Sequence, residues 1–144
     1  MAHTLVQNYI HVVFSTKDRR KSIPKNHQPR LWRYIVGICK NEGVFIHEIG
    51  GMEDHVHLLI QLPPTLSLSD AILSIKASSS KWMGPKFAWQ RGFGAFSVSA
   101  SNLNAVVRYV RNQEAHHRKM TFDQEFIALL KKHGVEFDLK YVFG

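Results

Sequence analysis

Apolar and polar residues alternate along four segments of the chain and recur at helical spacing along four others. Segments rich in β-branched and aromatic residues predict strands over 7–15, 44–49, 54–61 and 91–99. Apolar residues three and four apart predict helices over 28–41, from Ser67 or Ser69 to 83, over 102–117 and over 121–132. The remaining residues, 135–143, predict a short extended tail.

Residues at the ends of these segments support the boundaries. Glu42-Gly43 and Gly84-Pro85 are typical of helix C-termini. Asn102 and Thr121 are residues that favour the N-cap position. The run Gly50-Gly51-Met52-Glu53 predicts a hairpin turn whose glycines adopt positive φ.

The predicted order is β-α-β-β-α-β, followed by two more helices. This is an α+β, ferredoxin-like split β-α-β plan, with a four-stranded antiparallel sheet and two helices on one face. A C-terminal helix and a further short helix follow it. A chain of 144 residues is long enough for one domain with its own core, which we expect to span 1–144.

The charge of the chain indicates a partner class. The formal net charge is +8 before any of the nine histidines is protonated. Such an excess fits a polyanion, most often nucleic acid, although a basic protein with no specific use for its charge would have the same balance. The single Cys39 excludes a disulfide within the chain and is consistent with a cytoplasmic protein. No apolar run reaches membrane-spanning length, so no membrane partner is expected.

Two histidines lie two residues apart in the third predicted strand. Because side chains alternate across a strand, His55 and His57 share one face, opposite the apolar face formed by Val56, Leu58 and Ile60. Neutral imidazoles in this arrangement can bind one divalent metal ion. An ordinary pair of surface histidines would have the same spacing.

Tyr109 and Gln113 lie four residues apart on the third predicted helix, on the flank of its apolar stripe. The Gln113 oxygen can be a third metal ligand and Tyr109 a nucleophile, although a tyrosine at the edge of an apolar stripe is also a common packing residue. A phenol with a pKa near 10 is only about 0.1% ionised at pH 7, so the attack needs a metal that polarises the phosphate. Mixed nitrogen and oxygen ligands suit Mn²⁺ and tolerate Mg²⁺.

These groups together suit breaking and rejoining a phosphodiester. A tyrosine nucleophile conserves the bond energy in a phosphotyrosine link, which points to strand transfer rather than degradation. Two alternatives stay open from the residues alone. One is a metal-dependent phosphoesterase without a covalent step, and the other is a non-catalytic nucleic-acid-binding module.

At these residues the chain resembles the single-tyrosine HUH transposases of insertion sequences that move as single-stranded DNA. The resemblance rests on His11-Val-Val-Phe-Ser-Thr-Lys17, Asp54-His-Val-His-Leu-Leu59 and Tyr109-Val-Arg-Asn-Gln113. It implies a metal-dependent endonuclease and strand transferase that cuts hairpin-marked single strands through a 5′-phosphotyrosine. Tyr109 would be the nucleophile, and His55, His57 and Gln113 would bind Mg²⁺ or Mn²⁺. It also implies a homodimer whose active sites can be shared between subunits.

Basic residues in two clusters are candidate nucleic-acid contacts, because Lys and Arg bind phosphates. They are Lys17, Arg19, Arg20 and Lys21 after the first strand, and Arg108 and Arg111 beside Tyr109. Lys76 and Lys81 on the second helix, with Trp82, make a further basic and aromatic group suited to unpaired bases.

Overall fold

The regular elements follow the predicted order. The computed structural model describes residues 4–144, so residues 1–3 of the expected domain lie outside the described residues. The strands are β1 Tyr9–Ser15, β2 Phe45–Met52, β3 His55–Gln61 and β4 Gly94–Val98. The helices are α1 Gln28–Asn41, α2 Leu68–Met83, α3 Leu103–Arg111, α4 Gln113–His116 and α5 Phe122–Lys132. Short 3₁₀ turns span Lys17–Arg19 and Ala100–Asn102.

The four strands form one antiparallel sheet in the order β2-β3-β1-β4. This confirms the predicted α+β class with a four-stranded antiparallel sheet. One face of the sheet and the two helices α1 and α2 form the larger apolar core, which includes Val12, Phe14, Val56, Leu58, Ile60, Leu31, Ile35, Ile72 and Ile75. The apolar side of β3 is therefore the side that the sequence predicted.

The C-terminal helices of the same chain cover the other face of the sheet. Val13 and Phe96 pack there against three residues of α5: Phe122, Phe126 and Leu130. Because β3 alternates in period two, His55 and His57 point into this second layer and are fully buried. None of the helices in the described part of the chain is long and apolar enough to cross a membrane.

The predicted hairpin turn was wrong in detail. Strand β2 continues to Met52, and neither Gly50 nor Gly51 has positive φ. Gly50 instead permits a close approach, because a Cβ there would lie 2.3 Å from the carbonyl oxygen of Val110 in α3. The missing side chain is what lets α3 lie directly on β2.

The predicted helix 102–117 is interrupted at Asn112, whose φ of −97° and ψ of 31° separate α3 from α4. The side-chain Nε2 of Gln113 donates to the carbonyl of Tyr109 at 3.2 Å. A continuous helix would pair that carbonyl with the backbone N–H of Gln113. At the break, a side-chain donor therefore takes the place of the backbone donor.

The caps of the other helices mostly agree with the sequence. Ser67 accepts from the N–H of Asp70, and Thr121 forms a reciprocal capping box with Gln124. Asn102 makes no side-chain capping bond within the described chain, so that prediction was wrong. The tail 135–143 ends in turns rather than running fully extended, with the N–H of Tyr141 donating to the carbonyl of Asp138.

Candidate functional site

The two histidines of β3 are held in matching orientations. The Asp54 carboxylate accepts from Nδ1 of His55 at 2.7 Å. Nδ1 of His57 lies 2.8 Å from Nε2 of His11, a buried residue of β1. Both partners engage Nδ1, so Nε2 of each histidine is directed into the space beneath the C-terminal helices. Partners of this kind fix the ring orientation of metal-binding histidines.

Two residues from the C-terminal helical segment meet these histidines. Oε1 of Glu125 lies 2.9 Å from Nε2 of His57, 3.0 Å from Nε2 of His117 and 3.6 Å from Nε2 of His55. Each of these four residues offers one ligand atom, and the four atoms all lie within 4.8 Å of one another. We call His55, His57, His117 and Glu125 the histidine–glutamate cluster. Oε1 of Gln113 lies at its edge, 3.0 Å from Nε2 of both His55 and His117.

Burial and hydrogen bonding together set the protonation of the cluster. Loss of water lowers the pKa of His57 to about 4 and that of His11 to about 3, and each is lowered further by a neighbouring histidine. Burial also acts to raise the pKa of Glu125, but hydrogen bonds from His117 and His57 outweigh it and hold that pKa well below its usual range. At neutral pH His57 is therefore neutral and Glu125 is ionised. Burial acts to lower the pKa of His117, but its hydrogen bond to Glu125 and the charge of that carboxylate outweigh burial and raise the pKa. Neutral imidazoles and a carboxylate are the forms that bind a divalent metal, so an ion at this donor set would displace any proton held by His117.

Tyr109 lies beside the cluster. Its ring meets those of His57 and His11 edge-on, at centroid distances of 5.7 Å and 5.8 Å. Its hydroxyl donates to Oε2 of Glu125 and lies 3.4 Å from Nε2 of His116. Burial and the Glu125 charge raise the pKa of Tyr109 above its ordinary value, so the phenol is protonated in this arrangement.

The structure thus brings together the four residues that the sequence predicted for the site. They are His55, His57, Tyr109 and Gln113. They come from one chain, so the sharing of sites between subunits is not required to assemble them. The roles assigned to them stay predictions.

Three members of the site were missed, namely His11, His117 and Glu125. His117 carried a signal, because it lies four residues after Gln113 and continues the spacing of Tyr109 and Gln113. Glu125 could also have been found from the sequence, since it falls within the apolar stripe of its helix. A carboxylate at such a position indicates a buried charge. That stripe consists of Phe122, Phe126, Leu129 and Leu130.

The predicted basic contacts differ in their surroundings. Three of them lie beside acids: Arg19 is 3.1 Å from Asp123, Arg20 is 3.6 Å from Asp18, and Arg111 is 2.8 Å from Glu48. Ion pairs at the protein surface contribute little stability. Lys17, Lys21 and Arg108 are exposed. The role of these six residues in binding nucleic acid stays a prediction.

Lys76 has a structural task instead. Its ammonium donates to the carbonyl of Gln90 at 2.9 Å and to that of Gly92, and it lies 5.0 Å from the centroid of the Phe14 ring. Partial burial lowers its pKa to about 8. The Lys76 ammonium is therefore bound to the segment that leads into β4.

Two of the surface openings that border the site share Lys119. A cavity of about 390 Å³ is lined by residues that include Lys21, Asp54, His117 and Lys119. A second, of about 630 Å³, is lined by residues that include Arg108, Tyr109 and Lys119. One opening therefore borders His117 of the histidine–glutamate cluster, the other borders the phenol of Tyr109, and Lys119 lines both.

Known proteins are similar to this chain in sequence or in fold. The chain is 26% identical over 124 residues to the transposases for insertion sequence element IS200 of Salmonella typhimurium and Salmonella typhi, covering 78% of this chain and 81% of theirs. Its fold matches a putative transposase from Deinococcus radiodurans with a TM-score of 0.64 at 19% identity, over 78% of this chain and 95% of that one. It also matches a REP-associated tyrosine transposase bound to a REP hairpin, with a TM-score of 0.65 at 17% identity, over 81% of this chain and 73% of that one.

The family comparison covers the site residues that the sequence predicted. The sequence model described as "Transposase IS200 like" matches residues 4–113, well over half of the chain. That range includes both histidines of β3, Tyr109 and Gln113. The chain therefore belongs to the IS200-like transposase family, the single-tyrosine HUH transposases to which its three motifs pointed.

Proposed function

We propose that this transposase cleaves and rejoins single-stranded DNA through a 5′-phosphotyrosine at Tyr109. His55, His57 and Gln113 would hold the divalent ion, Mg²⁺ or Mn²⁺, that the reaction needs. The observation that carries the proposal is the convergence of these four side chains from β3, α3 and α4 into one buried site. Membership of a transposase family supports the same chemistry.

The site residues suggest how the reaction proceeds. The Tyr109 oxygen attacks phosphorus, and the bond from phosphorus to the 3′-oxygen breaks. The departing 3′-oxygen takes up a proton, from water or from the group that accepted the phenol proton, which leaves a free 3′-hydroxyl. The phenol proton moves toward one of the two acceptors beside it, Oε2 of Glu125 or Nε2 of His116. The bound ion would polarise the phosphate. A 3′-hydroxyl that attacks the phosphotyrosine reverses the step and rejoins a strand, so no nucleotide cofactor is required.

The substrate we propose is single-stranded DNA whose ends are marked by hairpins. A protein of similar fold, the REP-associated tyrosine transposase, is bound to a REP hairpin. The net charge of +8 on this chain favours a polyanion. The basic residues Lys21, Arg108 and Lys119 at the two openings are positioned to meet phosphates. We also propose that the chain acts as a homodimer in the cytoplasm.

The direct test is capture of a covalent protein–DNA adduct. Single-stranded DNA copied from both flanks of the encoding gene is incubated with the protein and Mg²⁺ or Mn²⁺, then denatured in SDS. We expect an adduct whose DNA is joined through its 5′-phosphate, located at Tyr109 by mass spectrometry. Chelation of the metal should prevent its formation.

Other results would favour the two alternative functions. Cleavage that leaves no adduct would indicate a metal-dependent phosphoesterase. Hairpin binding without cleavage under any metal would indicate a binding module.

Lys119 provides a test of the DNA path. We expect Lys119→Gln to weaken binding of single-stranded DNA of any sequence. The magnitude of the slope of log K against log salt should fall by about 1, the change that the loss of one phosphate contact produces. Fluorescence anisotropy between about 50 and 200 mM salt measures both quantities. Lys40→Gln, on α1 away from both openings, is the matched control. Equal slopes for the wild type and Lys119→Gln would place the DNA elsewhere.

A further inference from the structure

We propose that His117 and Glu125 are metal ligands, and that with His55 and His57 they form a four-ligand site that selects a transition ion such as Mn²⁺ or Zn²⁺ over Mg²⁺. The inference deepens the proposed function, since the same ion would serve the DNA reaction. Both added residues lie outside residues 4–113, the range that the family model matches. The ligand set of this chain is therefore larger than the one its motifs imply.

The spacing of the ligand atoms fits a single small ion. Ligands at about 2.0–2.1 Å from a tetrahedral centre lie about 3.3 Å from one another. Oε1 of Glu125 lies 2.9 Å, 3.0 Å and 3.6 Å from the Nε2 atoms of His57, His117 and His55. These three separations bracket the tetrahedral value. All four ligand atoms lie within 4.8 Å of one another, so a central ion would need side-chain movements of about 1.5 Å or less.

The surroundings of the cluster hold these atoms in place. His55, His57 and Glu125 are at most 1% exposed, and the His117 side chain is 7% exposed. Nδ1 of His117 donates to the carbonyl of Met120 at 2.7 Å. With Asp54 on His55 and His11 on His57, every histidine of the cluster has a partner at Nδ1 that leaves Nε2 for the ion.

The chemistry of the donors decides which ion binds. Mg²⁺ prefers oxygen ligands in an octahedron and usually keeps several waters, whereas this cluster offers three imidazole nitrogens and only one carboxylate. Imidazole favours Mn²⁺, Co²⁺ and Zn²⁺ in rising order. Gln113, whose Oε1 lies 3.0 Å from two of the Nε2 atoms, is placed to add a fifth ligand where the ion accepts one.

The test measures metal binding and not activity. The metal-free full-length protein is titrated with Co²⁺, followed by visible absorption, and with Mn²⁺, Zn²⁺ and Mg²⁺, followed by calorimetry. We expect one ion per chain, with Mg²⁺ bound at least about 100-fold more weakly than Co²⁺. Glu125→Gln and His117→Ala should each weaken Co²⁺ binding on the order of 100-fold and shift its absorption bands. Asp123→Asn on the same helix and His27→Ala on the opposite side of the sheet should bind as the wild type does.

Proton NMR of the Co²⁺-bound wild type counts the histidine ligands without any substitution. Three exchangeable, strongly shifted imidazole N–H signals are expected, one each for His55, His57 and His117. Only two shifted imidazole N–H signals would overturn the proposal. This result does not depend on whether the variants fold, because it is measured on the wild type. Mg²⁺ binding as tight as that of Co²⁺ would overturn its selectivity.

The outcomes separate this inference from the proposed function. If His57→Ala loses Co²⁺ while Glu125→Gln and His117→Ala retain wild-type affinity, the extra ligands are wrong and the histidine pair survives. If the four-ligand site is found but no DNA adduct forms with any metal, the proposed function fails and the metal site stands.

Discussion

Replacing Tyr109 with phenylalanine is expected to abolish the protein–DNA adduct, with a loss of at least about 10³-fold in its rate of formation. The change removes the one oxygen proposed to attack phosphorus. The ring remains, and with it the edge-on contacts to His57 and His11. Glu125 loses one donor but keeps those from His57 and His117, so the buried carboxylate stays hydrogen-bonded. Fold, metal affinity and hairpin binding should therefore change little.

The control for this variant is Tyr141→Phe, which removes an exposed hydroxyl near the C-terminus. Adduct formation is followed on SDS gels, hairpin binding by fluorescence anisotropy and Co²⁺ binding by absorption. An adduct at the wild-type rate in Tyr109→Phe would remove the nucleophile assignment. Loss of hairpin binding along with the adduct would instead assign Tyr109 to DNA recognition.

The layer arrangement was predictable because it follows from side-chain periodicity. Alternation in β3 sets Val56, Leu58 and Ile60 on one face, which requires that His55 and His57 lie on the other. The apolar helices α1 and α2 then cover the first face. Some helix N-termini were also predictable, because residues close together in the sequence form their caps. The capping box at Thr121 is an example.

What sequence periodicity could not supply is the set of contacts between distant segments. His57 and Glu125 are 68 residues apart, and only the packing of α5 on the sheet brings them to 2.9 Å. The break at Asn112 depends on which hydrogen bond the Gln113 side chain makes, a choice that spacing along a helix does not determine. The prediction that Gly50 lies in a turn was wrong for the same reason. Gly50 makes room for the carbonyl oxygen of Val110, which belongs to another element.

Gly50→Ala is expected to slow adduct formation on the order of 100-fold while leaving the metal site largely intact. The new Cβ would lie 2.3 Å from the carbonyl oxygen of Val110, so α3 must move away by about 1 Å to reach ordinary contact. Tyr109 directly precedes Val110 and moves with it. A displacement of this size at a reacting group costs about 100-fold in rate. His55 and His57 belong to β3 and Glu125 belongs to α5, so these ligands are expected to keep their places when α3 moves. Gln113, which bonds to the carbonyl of Tyr109, is the ligand expected to shift with α3.

Gly37→Ala is the matched control, because no atom lies within 4 Å of a Cβ built at Gly37 in helix α1. That variant should keep full activity and gain up to about 1 kcal/mol in the free energy of unfolding, since alanine favours a helix over glycine. Gly50→Ala should lose about 1–3 kcal/mol by the same measurement, from overpacking between β2 and α3. Thermal unfolding, Co²⁺ affinity and adduct rate are measured on both variants. A wild-type adduct rate in Gly50→Ala would mean that the position of α3 does not limit the reaction. A matching loss of Co²⁺ affinity would mean that nucleophile and metal ligands move as one unit.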